Sequence, residues 1–413
     1  MNEDPTELLT PAGQQLLARL DAERGVGQAG ELALAVRLRR EYPAGLVALA
    51  MAQHELRLAA DAKFSRAADM LFTRAGYEQS SSESIARYRA GRFLGARPVA
   101  DLCCGIGGDL IALASGREAL AVDRDETHAR LALHNAGVYG KAANVRAVVA
   151  DVRDVRFAGL DAVFIDPARR SGPGTASAGA AHRFRAGVSE PPLDWCFALA
   201  DRVGAVCVKA APGLPADLIP AGWEAEFIAD GRDLKEAVLW SPALATAPSA
   251  GPPHRAGGPR RATVLGATLH ALRSCTLVAQ PGDPVPVTEP GEYLLDPNPA
   301  VTRAGLVEDL ARALGGAAKI DLRIAFLTLD REARTPFART LRVLYSAPWN
   351  EKQFAKRLRE LGVGAADIRR RGLAGDVGQI HRRLKLAGPN RATIVITRVK
   401  DKPWGLICEA VAG

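Results

Sequence analysis

The sequence predicts an α/β protein whose central part is a mainly parallel sheet with helices on both faces. Three observations predict this class. From residue 97 onward, short runs rich in β-branched residues alternate with helical segments, as in consecutive strand–helix–strand units. Residues 1–92 show helical spacing without strand-like alternation, and residues 341–413 combine strand-like runs with basic helices.

The first 92 residues are the predicted helical N-terminal region. Leu16, Leu17 and Leu20 recur at the spacing of one helix face. Ser80 and Glu83 have the spacing of a capping box, in which the serine precedes the first helical turn and the glutamate lies three residues later. This spacing predicts a helix that begins directly after Ser80.

Residues 93–246 are the predicted central domain. Five runs have the composition of strands and end at Gly, Asp or Pro: PVADLCCG, EALAVDRD, NVRAVVADV, AVFIDPA and GAVCVKAA. Two later runs, WEAEFIAD and EAVLWSP, are separated only by GRDLK. Because that segment is too short for a crossover helix, these two runs predict an antiparallel hairpin.

The C-terminal part divides by composition into three segments. Pro, Gly and Arg dominate residues 247–261, which we interpret as a linker or exposed loop. Residues 262–340 mix strand-like runs with a helical segment and form a connecting α/β region. Residues 341–413 have the order strand, helix, helix, strand, strand, which predicts a compact α+β domain.

Positive charge is concentrated near the C-terminus. The 413 residues carry a formal net charge of +8, yet residues 342–402 alone hold 15 Lys and Arg against five Asp and Glu. The rest of the chain therefore has a net charge of −2. Such a segment is typical of a module that binds a polyanion such as nucleic acid, and the alternative is a well-solvated basic face.

Composition also excludes several classes of protein. The six cysteines form no CxxC pair, which argues against a zinc ribbon or a secreted disulfide scaffold and favours a reducing, cytoplasmic environment. No apolar run approaches the roughly 18 residues that span a bilayer, so we expect no membrane partner. The seven histidines lack metal-ligand spacing, so we expect no metal site.

A glycine-rich turn follows the first predicted strand. The strand contains Asp101, and Gly105, Gly107 and Gly108 precede the next helix. Small residues let a ligand approach the backbone closely, and a helix N-terminus offers unpaired N–H groups. The dinucleotide fingerprint G-x-G-x-x-G would require glycine where Leu110 stands, so NAD fits this turn poorly.

Three further acids follow successive predicted strands. Asp123 comes 22 positions after Asp101, where a carboxylate can accept hydrogen bonds from both ribose hydroxyls. Asp151 follows the third strand, and Asp166 with Pro167 follows the fourth. Each aspartate is individually compatible with an ordinary turn. Their ordered recurrence beside the glycine turn favours one nucleotide-like ligand at the carboxyl edge of the sheet.

These motifs resemble motifs I to IV of class I S-adenosylmethionine (SAM)-dependent methyltransferases: DLCCGIGGD, AVDRDETHARLALHNAGVYG, VVADVRDV and FIDPARR. They are most similar to the RNA cap guanine-N2 (trimethylguanosine synthase-like) group, whose helical lead-in the segment 63–90 also resembles. The tail from residue 341 resembles a THUMP-like module. The resemblance implies a Rossmann-like core with a mainly parallel seven-stranded sheet, and SAM as cofactor.

The resemblance also implies roles for individual residues. Asp101 would orient the SAM amino group, Asp123 would bind the ribose and Asp151 the adenine edge. Asp166 and Pro167 would hold the target group beside the methyl group. The glycine-loop residues that would line the methionine part are Cys104, Gly105, Gly107 and Gly108.

The fourth motif departs from the pattern of exocyclic-amine methyltransferases. Their Asp-Pro-Pro-aromatic sequence places a ring on a flipped base, whereas Arg169 and Arg170 follow Asp-Pro-Ala here. An arginine plane can stack on a base or bind phosphate. Trp195 is a second source of an aromatic face, with a core position as its alternative. We expect phosphate contacts from four arginines of the tail: Arg370, Arg371, Arg382 and Arg383.

The sequence therefore predicts a SAM-dependent methyltransferase that acts on a nucleobase of structured RNA, rRNA or tRNA. Two alternatives stay open: methyl transfer to a protein or small molecule, and a SAM-sensing RNA-binding protein without activity. Lys209, at the end of the fifth strand, contacts substrate or is simply solvated. We interpret Cys103 and Cys104 as small loop residues and not as nucleophiles.

Overall fold

A computed structural model describes residues 4–22, 28–169, 189–246, 258–268, 271–373 and 375–411. Arg170, the side chain of Arg169 and residues 247–257 of the predicted linker lie outside this description. The chain divides into two compact units. Unit 1 comprises Met1–Trp223, Ala237–Thr246 and Gly266–Arg273, and unit 2 comprises Glu224–Glu236, Ala247–Leu265 and Ser274–Gly413.

The N-terminal region is helical, as predicted. Its α-helices are α1 (Pro11–Ala22), α2 (Gln28–Leu38), α3 (Ala44–Ala60), α4 (Arg74–Gln79) and α5 (Glu83–Ala90). Leu16, Leu17 and Leu20 of α1 are buried in one apolar cluster with Phe64 and Phe72. Because these leucines lie on one face of α1, their burial explains the helical spacing in the sequence.

The capping-box prediction is wrong. Helix α5 begins at Glu83 with Ser82 as its N-cap, whereas Ser80 closes α4. The Glu83 carboxylate accepts hydrogen bonds from the backbone N–H of Ser65 (2.7 Å) and the Ser65 hydroxyl (3.1 Å). Glu83 therefore bonds to Ser65, 18 residues earlier in the chain, and not to the N-cap residue of its own helix.

The central strands are short and alternate with helices. The strands are β1 (Val99–Leu102), β2 (Ala119–Asp123), β3 (Val145–Val149), β4 (Ala162–Ile165), β5 (Ala168–Arg169), β6 (Ser189–Glu190), β7 (Ala205–Ala210), β8 (Glu224–Asp230), β9 (Asp233–Trp240), β10 (Arg260–Thr268) and β11 (Ala271–Val278). The helices among them are α6 (Leu110–Leu113), α7 (Glu126–Val138), α8 (Leu193–Ala198) and α9 (Ala200–Val203).

Among the described residues, one sheet has nine strands in the order β11-β10-β8-β9-β7-β4-β1-β2-β3. Neighbours from β3 to β7 are parallel, and β9 pairs antiparallel with β7. The α/β class and the mainly parallel core are thus confirmed. The sheet exceeds the expected seven strands because β10 pairs in parallel with β8 and β11 follows it.

The parallel pairing places four aspartates at the carboxyl edge of the sheet: Asp101, Asp123, Asp151 and Asp166. In register, Leu102 of β1 lies opposite Val122 of β2 and Ile165 of β4. The strands therefore end together, and the residues at or just beyond their carboxyl ends share this edge. Substrate and cofactor sites of open α/β sheets lie at such edges.

The described part of unit 2 contains a second sheet of seven strands, ordered β13-β14-β12-β15-β18-β17-β16. Its strands are β12 (Tyr293–Pro297), β13 (Ala318–Lys319), β14 (Leu327–Leu329), β15 (Ala338–Pro348), β16 (Val363–Arg370), β17 (Asn390–Val399) and β18 (Lys402–Ala410). The helices of this part are α10 (Pro299–Ala304), α11 (Val307–Leu314), α12 (Glu351–Glu360) and α13 (Val377–Leu384).

Strand β16 was not predicted, because VGAADIRR has little of the β-branched alternation of its neighbours. Strand β15 begins at Ala338, and β12 of the predicted connecting region pairs with it. At the other end of that region, β10 begins at Arg260, within the predicted linker 247–261. The domain boundaries themselves stay a prediction.

Candidate active site

The glycine-rich turn after β1 has a backbone that demands small residues. Cys103, Gly105 and Gly107 all have positive φ, at 60°, 51° and 83°. A Cβ at Gly107 would lie 2.9 Å from the Cα of Ala132 in α7, so this glycine allows the turn to pack on the helix. A Cβ at Gly105 would meet nothing within 4 Å, so Gly105 faces open space. At Gly108 a Cβ would approach Ser80 at 3.3 Å.

Asp101 of β1 is a buried carboxylate with spare hydrogen-bonding capacity. It is 1% exposed, and its Oδ2 has no hydrogen-bond partner among the described residues. Burial and the nearby carboxylates of Asp109 and Asp166 raise the pKa of Asp101 well above its ordinary value, against the effect of Arg89. A cationic ligand group would compensate this charge and satisfy the unpaired oxygen.

Asp123 ends β2 and fixes the glycine turn. Its Oδ2 accepts from the backbone N–H of Gly105 (2.9 Å), and its Oδ1 accepts from that of Asp125 (3.0 Å). Burial opposes ionisation, but the neighbouring His128 and these two N–H groups outweigh it and lower the pKa of Asp123. The His128 pKa is raised in turn, chiefly by Asp123. An ionised acceptor therefore lies beside the open position at Gly105.

Asp151 follows β3 and is engaged with Arg153. The Asp151 Oδ1 accepts from the Arg153 backbone N–H (2.9 Å) and Nε (2.8 Å). These bonds lower the pKa of Asp151 to about 2. Arg153 also pairs with Glu190 of β6 at 2.9 Å.

Asp166, directly after β4, forms an ion pair with Lys209 of β7. The Lys209 Nζ donates to the Asp166 Oδ2 at 2.6 Å. The two side chains meet because Ile165 and Val208, which precede them, are paired in the sheet. The side chain of Lys209 is 7% exposed and that of Asp166 is 32% exposed. The sequence left Lys209 between a substrate contact and a solvated lysine, and the structure shows it buried and paired.

Segments upstream of the sheet hold the glycine turn in place. The Asn135 side chain of α7 is fully buried and donates to the carbonyls of Leu71 (3.0 Å) and Ile106 (2.8 Å). Its Oδ1 accepts from the Leu71 N–H at 2.9 Å. Arg89 of α5, 2% exposed, pairs with Asp109 at the start of α6. These supporting residues lie within the quoted motifs, but sequence reasoning gave them no role.

The environment of the two cysteines of the turn disfavours the thiolate form. Cys104 is 7% exposed, and burial followed by the charge of Asp101 raises the pKa of its thiol. Burial and the charges of Asp123 and Asp166 likewise raise the pKa of Cys103. A covalent mechanism requires a thiolate, so this environment disfavours nucleophilic attack by either cysteine.

Other predicted site residues lie in three places. Pro167 is buried beside Asp166, and half-buried Trp195 packs near Phe157, with ring centroids 6.5 Å apart. Arg370 ends β16, and Arg371 follows it and pairs with Asp296 of β12 at 2.9 Å. Arg382 and Arg383 are exposed in the last turn of α13, where Arg383 pairs with Glu351 at 3.6 Å. Among the described residues, no cluster of three or more His, Cys, Asp and Glu could hold a metal ion.

The residues at the edge of the parallel sheet fit SAM. The unpaired Asp101 oxygen suits the cationic amino group, the open space at Gly105 admits a chain against the backbone, and Asp123 supplies an ionised acceptor for hydroxyl groups. Asp101, Asp123, Asp151 and Asp166 all lie at this edge. No helix in the described part of the chain is long and apolar enough to cross a membrane.

Three family models match parts of the chain. Residues 96–180 match the model for RNA cap guanine-N2 methyltransferase, and residues 338–410 match the THUMP domain-like model. Residues 3–60 match a domain of unknown function. Unit 2 thus contains a THUMP-like domain, in agreement with the sequence-based expectation.

Relatives cover most of the chain. Two strains of Mycobacterium tuberculosis, CDC 1551 and H37Rv, each have an uncharacterized SAM-dependent methyltransferase that is 34% identical over 342 residues. That alignment covers 80% of this chain and 85% of the relative. A crystal structure from Porphyromonas gingivalis W83, provisionally named a methyltransferase, has 20% identity and a TM-score of 0.73. It covers 94% of this chain and is itself covered completely, which supports the fold.

The site is consistent with SAM binding, because it has a buried acceptor at Asp101 and an open glycine turn. The mycobacterial methyltransferases are similar to this chain over most of its length. The chain belongs to the family of S-adenosylmethionine-dependent methyltransferases.

Proposed function

We propose that this methyltransferase modifies a nucleobase of structured RNA, either rRNA or tRNA, in the cytoplasm. The observation that carries the proposal is the position of Asp166. Its carboxylate is one-third exposed at the edge that carries Asp101 and Asp123, and Lys209 occupies only Oδ2. Lys209 contacts Oδ2, and we infer that the other oxygen, Oδ1, accepts a hydrogen bond from a substrate donor.

The chain's own residues contribute alignment and electrostatics. SAM supplies an electrophilic methyl group on a sulfonium when it is bound. Asp101 would bind its amino group, Asp123 its ribose and Asp151 its adenine edge. The Asp166 Oδ1 would accept a hydrogen bond from an exocyclic amino group of the base and direct the nitrogen lone pair toward the methyl group. Such orientation is worth several orders of magnitude in rate.

Two features support RNA as the acceptor. The core matches a family model described as RNA cap guanine-N2 methyltransferase, and the C-terminal unit contains a THUMP-like domain. Within that domain, α13 has exposed side chains at Arg382, Arg383 and His381 in its last turn. An exposed cationic helix end is suited to phosphate contacts of low sequence specificity.

The proposal is tested by transfer of labelled methyl from SAM to total RNA from a strain that lacks this gene. Digestion and nucleoside mass spectrometry then identify the modified nucleoside. The control is Asp166→Asn, which keeps the shape of the side chain but removes its charge, with Asp166→Ala as a second variant. We expect label in one nucleoside with the wild type and at least a hundredfold less with either variant, since alignment by Asp166 is lost.

Three other outcomes would contradict the proposal. Label on the ribose oxygen would place the reaction outside the base. Absence of label in RNA, with SAM binding shown separately, would favour a protein or small-molecule acceptor. Full activity of Asp166→Asn would remove this carboxylate from the mechanism.

A further inference from the structure

A group of four arginines in unit 2 surrounds one buried carboxylate, and we call it the Asp296 cluster. Asp296 of β12 is 1% exposed at its side chain. Its Oδ2 accepts from Arg232 at 3.1 Å and pairs with Arg369, and Arg371 lies 2.9 Å from its Oδ1. The fourth member, Arg339, is the strand partner of Asp296 on β15.

The cluster gathers residues that are distant in the sequence and in the sheet. Arg369 lies on edge strand β16, and Asp296 lies on β12, four strands away in the sheet order. Arg371 places its guanidinium 4.6 Å from the ring centroid of Phe326, which fixes the plane of that cation. The arginines are thus held by packing and pairing, so little side-chain entropy is left to lose on binding a ligand.

Positive charge exceeds negative charge in the Asp296 cluster. Within the described part of the chain, the only acid paired with the cluster besides Asp296 is Asp367, which lies 3.1 Å from Arg369 and 3.8 Å from Arg339. Four guanidinium groups therefore face two carboxylates among the described residues. Burial and the charges of Arg369, Arg339 and Arg371 lower the pKa of Arg232, despite the opposing effect of Asp296. The carboxylates do not fully compensate these cations.

The arginines also keep donors available. Their side chains are between 30% and 40% exposed, whereas Asp296 is almost completely buried beneath them. A guanidinium has five N–H donors, and a carboxylate has about four acceptor positions, so Asp296 cannot satisfy three arginines. The remaining donors suit a tetrahedral oxyanion, and arginine forks match phosphate oxygens in pairs.

We propose that the Asp296 cluster is a phosphate-binding site, formed by Arg232, Arg339, Arg369 and Arg371. The phosphate comes either from an RNA backbone or from a free phosphate compound. The RNA source rests on the proposed function, whereas phosphate binding itself does not. A salt-bridge cluster with a purely structural role would show no anion affinity.

Inorganic pyrophosphate is the probe for the first experiment, which measures its binding to the full-length protein by calorimetry at low ionic strength. The test variant is Arg232→Gln with Arg339→Gln, which leaves the pairs of Asp296 with Arg369 and Arg371 in place. Arg331→Gln with Arg334→Gln is the matched control, because it removes the same charge from exposed arginines of the same unit that the cluster does not include. We expect affinity to fall about tenfold or more in the test variant and to stay within about twofold in the control.

Asp296→Asn gives a second result of opposite sign. The substitution keeps the side-chain shape and removes the central negative charge, so pyrophosphate should bind more tightly even if the melting temperature falls. Equal losses in the test and control variants, or no pyrophosphate binding by the wild type, would overturn the site. Weaker binding by Asp296→Asn with an intact circular-dichroism spectrum would also overturn it.

The source of the phosphate is decided with labelled RNA. If RNA occupies the Asp296 cluster, saturating pyrophosphate should displace it from the wild type more than NaCl of equal ionic strength does. This difference should disappear in Arg232→Gln with Arg339→Gln. Pyrophosphate binding without any RNA binding would assign the site to a free phosphate compound and would contradict the RNA part of the proposed function.

Discussion

At the scale of the residue, Asp101 is expected to favour SAM binding and to lower the stability of the free protein. Burial first, and the neighbouring acids second, raise the pKa of this carboxyl. When folding raises the pKa of a carboxyl group, the stability of the folded state decreases as pH rises from the unfolded-state pKa through the folded-state pKa. In the proposed SAM site, the cationic amino group would remove that cost, so the free protein would be destabilised by the residue that we expect to bind the cofactor.

Asp101→Asn is therefore expected to weaken SAM binding about 10- to 100-fold, because a charge-assisted hydrogen bond is lost. The same variant should raise the melting temperature of the free protein at neutral pH. In the wild type, SAM affinity should increase as pH rises through the Asp101 pKa, and binding should release protons. Calorimetry in buffers of different ionisation enthalpy measures both effects. The control is Asp154→Asn, at an exposed acid, and unchanged SAM affinity in Asp101→Asn would contradict the assignment.

Lys209 is expected to position Asp166. Lys209→Met should lower kcat for methyl transfer at least about tenfold, because the carboxylate loses the partner that fixes its orientation. Lys209→Arg should restore part of the rate, and the KM for SAM should change little in either variant. Steady-state kinetics measure this split, with exposed Lys235→Met as control. A change confined to KM would contradict a positioning role.

At the scale of the element, the glycine turn must pack closely against α7 at Gly107 and leave open space at Gly105. Gly107→Ala should destabilise the protein by about 2 kcal/mol or more, because a Cβ would collide with α7 and the left-handed backbone disfavours alanine. Gly105→Ala should cost only about 1 kcal/mol of backbone strain, yet lower SAM affinity strongly by filling open space. Thermal unfolding and calorimetry separate the effects. The reverse pattern would show that Gly107, not Gly105, faces the ligand.

Helix α7 connects the turn to the N-terminal region through Asn135. Asn135→Ala should destabilise the protein by about 2–4 kcal/mol, because the buried polar groups of Leu71 and Ile106 lose their partners. SAM affinity should fall with it, since Ile106 belongs to the turn. Chemical denaturation measures the change, and half-buried Asn144→Ala is the control. Equal stability of both variants would contradict this role.

The elements also show what sequence alone can predict. The common edge of Asp101, Asp123, Asp151 and Asp166 is predictable from the sequence, because parallel strands place the residues at their carboxyl ends along one edge. Strand β16 was missed because its composition is weak, and tertiary pairing with β17 overrides local propensity. The partner of Lys209 and the Asp296 cluster arise from side chains that are distant in sequence, so no local pattern could indicate them.

At the scale of the whole molecule, charge is distributed in a way that suits the proposed RNA substrate. Residues 342–402 carry a net +10 and the rest of the chain a net −2, so RNA affinity should arise in the C-terminal segment and be electrostatic. Each neutralised phosphate releases counterions, so the slope of log affinity against log salt should be steeper than about −3. Fluorescence anisotropy with labelled RNA between 50 and 300 mM salt, roughly the range over which such effects are resolved, measures this slope.

The same titration separates docking from catalysis. Substituting Arg382 and Arg383 by Gln should reduce the slope by about one to two while leaving SAM affinity unchanged, because these arginines lie outside the cofactor site. Asp166→Asn should leave the slope unchanged and abolish methyl transfer. A flat salt response in the wild type would contradict the electrostatic docking of RNA by this segment and would favour an acceptor that is not a polyanion.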